Sequence, residues 1–113
     1  MKTLKRKDCA ILPLVLKRKW YDLIASGEKR EEYRDATEYW ETRIYNWGDQ
    51  AMLCAKEAVV EFRLGYAKDA PRMAFTSDEM DTIRRAWANH PEWGEPIHEH
   101  FAIPLHRQVI LED

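Results

Sequence analysis

The stretch Gly27-Glu28-Lys29-Arg30-Glu31-Glu32-Tyr33-Arg34 decides how the rest of the chain is read. Before it, Leu16, Trp20, Leu23 and Ile24 recur at helical spacing, and Ser26-Gly27 supplies the glycine that ends a helix in a left-handed conformation. After it comes a strand, expected over Lys29 to Arg34, that is loaded with charge. A strand that merely covers a core alternates apolar and polar residues and gains little from such a run. On an extended backbone Glu32 and Arg34 project from one face, two residues apart. Lys29 has the opposite parity but sits in the turn, where the chain is free to aim it the same way. A carboxylate held between two cations keeps its charge and fixes their directions. Arg34 then offers a planar fork to a phosphate or a base edge, and Lys29 a point charge. The competing reading is an ion-pair network that only supports the fold, since such pairs are common and individually weak.

Working outward, Ala10 to Leu16 is an apolar run read as a buried strand, in which Pro13 demands an edge or a bulge. Tyr39, Trp40, Ile44 and Trp47 predict a helix that closes at Gly48. Ala58 to Leu64 is the clearest strand, Gly65 to Pro71 a turn, and Arg72 to Thr76 the returning strand. Ser77 and Asp78 carry N-capping chemistry for a helix through Asp81 to Ala88. Residues 90–96 read as a loop and Phe101 to Leu111 as one final strand. Residues 1–8 read as a flexible basic arm, and 9–113 as a single domain large enough for one modest core.

The 18 Lys and Arg against 20 Asp and Glu leave a net charge of -2, which makes no overall electrostatic case for a nucleic-acid binder. The distribution is less even: Lys2, Lys5, Arg6, Lys7, Lys17, Arg18 and Lys19 crowd the first part of the chain. Cys9 and Cys54 lack paired spacing and read as free thiols of a reducing compartment. The apolar run from Cys9 to Leu16 is too short to span a bilayer, so a soluble, cytoplasmic protein with no membrane partner is expected.

Other residues compete for a functional role. Trp40, Ile44 and Trp47 have the spacing of a buried helical stripe, whereas Tyr33 and Tyr39 are less clearly core and can reach a pocket. Arg63, Tyr66 and Lys68 surround Gly65, where a positive φ or a close backbone approach is permitted. They add cations and an aromatic to the same pocket, or simply form a solvated hairpin tip. His98-Glu99-His100, between Glu95 and His106, points two imidazoles to one face of a strand. It lacks a further ligand at metal-binding spacing, so no metal and no cofactor are expected. Nucleophile-elbow, P-loop and dinucleotide-binding patterns are missing.

The spacing Gly27, Lys29, Glu32, Arg34, preceded by Ile11-Leu12-Pro13-Leu14 and by Lys19-Trp20-Tyr21-Asp22-Leu23-Ile24, resembles the signature of the ASCH domain. Phe62 to Pro71, and Glu92-Trp93-Gly94 with His100-Phe101-Ala102-Ile103, are similar to later segments of small ASCH proteins of phages and gut bacteria. The resemblance implies an α+β fold, a small PUA-like β-barrel with two or three short helices. It also implies an RNA- or nucleotide-binding module with a charged pocket at the barrel mouth, formed by Lys29, Glu32 and Arg34, to which the residue reading adds Tyr39, Arg63, Tyr66 and Lys68 as further ligand contacts. Some small ASCH proteins are amidohydrolases acting on acetylcytidine with a Lys, a Thr and a Glu. Lys29 aligns with their lysine, but Glu32 stands where the threonine is expected. The catalytic candidates of that alternative, a small hydrolase acting on modified nucleosides or RNA, are therefore Lys29 as base or Glu32 as activator of water. A third reading is a protein-interaction domain whose charge cluster is structural.

Overall fold

Strand β4 (Glu57–Leu64) has buried apolar residues on both faces, and this sets the architecture. Ala58, Val60 and Phe62 belong to the main core, while Val59 belongs to a second, smaller cluster on the opposite face. A strand with buried residues on both faces has to pack between two layers. In the computed structural model, which describes residues 1–78, 82–85 (only the backbone of 83–85) and 99–113, it does. The order of elements is β1 (Lys2–Lys5), a 3-10 turn (Arg6–Asp8), β2 (Cys9–Leu16), α1 (Arg18–Ala25), β3 (Glu31–Asp35), α2 (Glu38–Leu53), β4, β5 (Arg72–Thr76), β6 (Ile83–Arg85), β7 (His100–Pro104) and β8 (Gln108–Glu112). One sheet runs β1-β8-β5-β4-β2 and the other β3-β7-β6. The β1–β8 and β2–β4 pairs are parallel and the rest antiparallel.

The larger sheet is strongly curled. Strands β1 and β2 form its two edges, yet only the turn Arg6–Asp8 separates them in the chain. Four residue steps span at most about 14 Å, whereas the outer strands of five lying flat would be about 19 Å apart. The concave side encloses the second cluster, to which every strand of the sheet contributes: Leu4, Cys9 and Ile11, Val59, Ala74, Val109 and Leu111. A bidentate pair from Arg6 to Glu61, at 3.1 and 2.6 Å, holds the turn against β4. The fold is thus α+β with two α-helices and mixed sheets among the described residues. The sheets do not close into a barrel, because β1 and β2 are not paired with each other. At β2 side chains reach the backbone instead: Trp47 Nε1 donates to Ala10 O at 2.9 Å, and Arg34 to Val15 O at 3.4 Å.

The main core lies between the larger sheet, the helices and the second sheet. Ala10, Leu12, Leu14 and Leu16 alternate into it from β2, meeting Ile44, Trp47 and Ala51 of α2, Ile24 of α1, and Phe101 and Ile103 of β7. Pro13 is exposed on an edge strand, where its missing N–H is tolerated.

Four expectations are corrected. The basic segment 1–8 carries β1 and the 3-10 turn, because β1 completes the parallel ladder with β8. The second helix passes through Gly48 to Leu53, since Ala51 continues its buried stripe and outweighs the glycine's helix penalty. Residues 83–85 are a strand paired with β7, not part of a helix, although 79–81 and 86–88 lie outside the described residues. The last segment is two strands separated by 105–107, where Leu105 donates its N–H to Arg30 O and His106 to Thr76 O, joining the two sheets. The loop expected over 90–96 is likewise outside the described residues. Among those described, no helix is long and apolar enough to cross a membrane.

Candidate functional site

Helix α1 ends where the sequence says it must. Gly27 takes φ +85° and donates its N–H to Ile24 O, a conformation that costs a residue with a Cβ about 1–2 kcal/mol. The chain then turns back so that Lys29 N bonds Leu23 O, and Lys29 is carried under Trp20 of the helix it has just left. Strand β3 follows, starting at Glu31 rather than Lys29, and pairs antiparallel with β7. Turn and strand together bring Lys29, Glu32 and Arg34 to one point.

Glu32 is the hub. Its Oε1 accepts from Lys29 Nζ at 2.7 Å and from Tyr33 N at 3.1 Å, and its Oε2 accepts from Arg34 at 2.9 Å. Lys29 is 5% exposed and Glu32 4%, so the pair is shielded from water, and the Arg34 side chain is mostly buried beside them. Each cation also has an indole. Lys29 Nζ lies 4.8 Å from the ring centre of Trp20 and 5.4 Å from Tyr33, and the Arg34 guanidinium 4.9 Å from Trp40. Such contacts help to offset the desolvation of a buried cation. The third polar residue buried among those described is His100, fully enclosed, with its ring edge-on to Tyr33 at 5.3 Å. The buried polar side chains are therefore gathered at one place, linked through Tyr33.

Two cations share one carboxylate in this triad, so one positive charge is in excess. The Nε of Arg34 is buried and makes no hydrogen bond to the described residues. Replacing such a cluster by apolar residues of similar volume is frequently neutral or stabilising, so stability is a weak reason for building one. Both Glu32 oxygens are engaged, and proton abstraction there would require one of those bonds to break.

The other candidates lie around this centre. Tyr39 is half exposed, edge-on to Trp40 at 5.0 Å and covered by Arg43 at 3.4 Å, one ring removed from Arg34. Arg63 turns to its own loop, donating to Tyr66 O at 3.4 Å and Ala67 O at 2.7 Å. Tyr66 is 84% exposed and, with Leu64 and Gly65, forms one wall of a cleft of about 500 Å³ whose other wall is Val15, Leu16, Lys17 and Arg18. Lys68 is exposed and does not line that cleft. Cys9 is buried and Cys54 exposed, both as free thiols, and burial pushes the Cys9 thiol above its ordinary value. Among the described residues no group of three or more His, Cys, Asp or Glu could hold a metal ion, and His98 and Glu95 lie outside them. Sequence reading missed the two indole walls and the Val15 carbonyl. Trp20 was legible only as a core residue of its helix, and a backbone acceptor leaves no trace in residue identity. Comparison with protein-family models, with curated proteins and with solved structures gives no match.

Proposed function

We propose that this chain is an RNA- or nucleotide-binding module of the ASCH type, a PUA-like domain in which the Lys29–Glu32–Arg34 triad recognises an anionic or base-bearing ligand. One observation carries the reading: a buried, hydrogen-bonded triad with a positive charge in excess, held between indoles where an apolar cluster would serve the fold as well. In this reading Glu32 fixes the orientation of Arg34, whose guanidinium supplies directional donors to a phosphate or base edge. Lys29 supplies charge from behind. The test is a heteronuclear NMR titration with a short single-stranded RNA, then cytidine, then acetylcytidine. Shifts concentrated at Lys29, Glu32, Arg34 and Val15 are expected with the RNA. A spectrum unmoved by all three ligands would overturn the proposal in favour of an interaction domain.

A second reading is supported by the 2.7 Å contact between Lys29 Nζ and Glu32 Oε1, a distance over which a proton can pass. A hydrolase acting on modified nucleosides would release free cytidine from acetylcytidine in the same tube, and Lys29→Met would abolish that release.

A further inference from the structure

The Val15 carbonyl belongs to two places at once. It accepts from Arg34, and Val15 also forms part of the cleft between the ends of β2 and β4. The chain leaves these two parallel strands in different directions, into α1 on one side and into the β4–β5 connection on the other. The space left between them has a volume of about 500 Å³, within the range of about 300–1,000 Å³ typical of small-molecule sites.

Its walls differ in chemistry. Val15, Leu16 and Leu64 are its apolar lining, Lys17 and Arg18 come to it from the start of α1, and Tyr66 from the β4–β5 connection. Lys17 is exposed and precedes α1 without any side-chain cap on the helix, and among the described residues Arg18 makes only a long, exposed contact of 3.8 Å with Asp22. Both cations are available to a ligand. The Tyr66 ring is almost wholly in solvent although its backbone is fixed. Gly65 at φ +79° donates its N–H to Leu16 O, and Arg63 clamps the carbonyls of Tyr66 and Ala67 from beneath. An exposed aromatic on a fixed backbone, lining one cleft with two cations, is the arrangement that stacks a base while neutralising its phosphates. The fold itself derives little from a ring so exposed.

We infer that this cleft is a nucleotide subsite, in which one base of a single-stranded RNA stacks on Tyr66 and the phosphates beside it meet Lys17 and Arg18. It rests on the RNA-binding reading of the neighbouring triad and extends that site by one nucleotide, with Val15 as the joint.

The test is the fluorescence anisotropy of a labelled short oligouridylate, titrated with the wild type and with variants at several salt concentrations. Tyr66→Ala is expected to weaken binding about five-fold to a hundred-fold, and Tyr66→Phe, which keeps the stacking face, to bind like the wild type. Lys17→Ala with Arg18→Ala is expected to flatten the dependence of log affinity on log salt by about 1.4, the loss of two phosphate contacts on a single strand. All three residues are exposed, and circular dichroism checks that the variants fold. Arg34→Lys serves as the control for the triad. If the wild type binds, Arg34→Lys weakens it, and the cleft variants keep both affinity and salt slope, the subsite is overturned and the triad stands. If the wild type does not bind the RNA at all, the subsite is overturned, and the triad falls with it when the nucleosides also leave the spectrum unmoved.

Discussion

Glu32 has three hydrogen-bond partners in a setting closed to solvent, and its removal exposes what the triad costs. Glu32→Gln keeps the shape but leaves Lys29 and Arg34 as buried cations without a counter-charge. It is expected to destabilise the fold by about 3 kcal/mol in urea titration. Lys29→Met, which removes a cation and leaves the carboxylate to Arg34, should cost clearly less. Equal and small losses in both would mean that the three charges are not coupled. The charge run was legible because a core strand has no use for it, and parity placed Glu32 and Arg34 on one face. The position of Lys29 was legible only as permission, through Gly27. The indoles that face the two cations were not: the spacing of Trp20 and Trp40 marks a helix face, and that face is shared by the core and the site. His100 stood out only as half of an HxH pair, whereas its setting against Tyr33 depends on the β3–β7 register.

Two helix ends give a matched pair of tests. Gly27 follows α1 at φ +85°, with open space where the methyl group of an alanine would project, so Gly27→Ala should lose about 1 kcal/mol from backbone strain alone. Ala55 follows α2 at φ +52° and already bears that strain. Ala55→Gly should therefore raise the Tm, an outcome opposite in sign to the usual effect of introducing glycine. A fall in Tm with Ala55→Gly would contradict the left-handed geometry there. The first of these ends was legible, because Ser-Gly closes an apolar helical pattern. The second was not, since Gly48 is the conspicuous stop signal and the stripe through Trp47 and Ala51 overrides it. The same competition explains residues 83–85, where pairing with β7 prevails over a capping pattern that points to helix.

At the level of the whole molecule, the cluster inside the curl of the larger sheet gives a pH dependence. Burial raises the Cys9 thiol above its ordinary value of 9.0, so the folded chain holds a proton that the unfolded chain releases. The contribution of Cys9 is then constant below about pH 9 and falls as the pH rises past it, so Cys9→Ala should lessen the loss in urea midpoints between neutral and alkaline pH, leaving that from Tyr21, whose phenol burial also raises. In the native protein Cys54 should react with a thiol reagent and Cys9 should not. The α+β class was legible from alternating helical and strand periods. The curl was not, because the partners of each edge are far apart in sequence. Among the described residues β1 has no strand neighbour except β8, with Lys2 opposite Val109 and Lys5 opposite Glu112. Strand β1 must wait for a partner synthesised about a hundred residues later, and β8 must slot between β1 and β5. Such a sheet cannot be assembled progressively during translation: a nascent chain stalled before β8 holds the other elements yet leaves β1 without its partner, and the last step waits until β8 has been made.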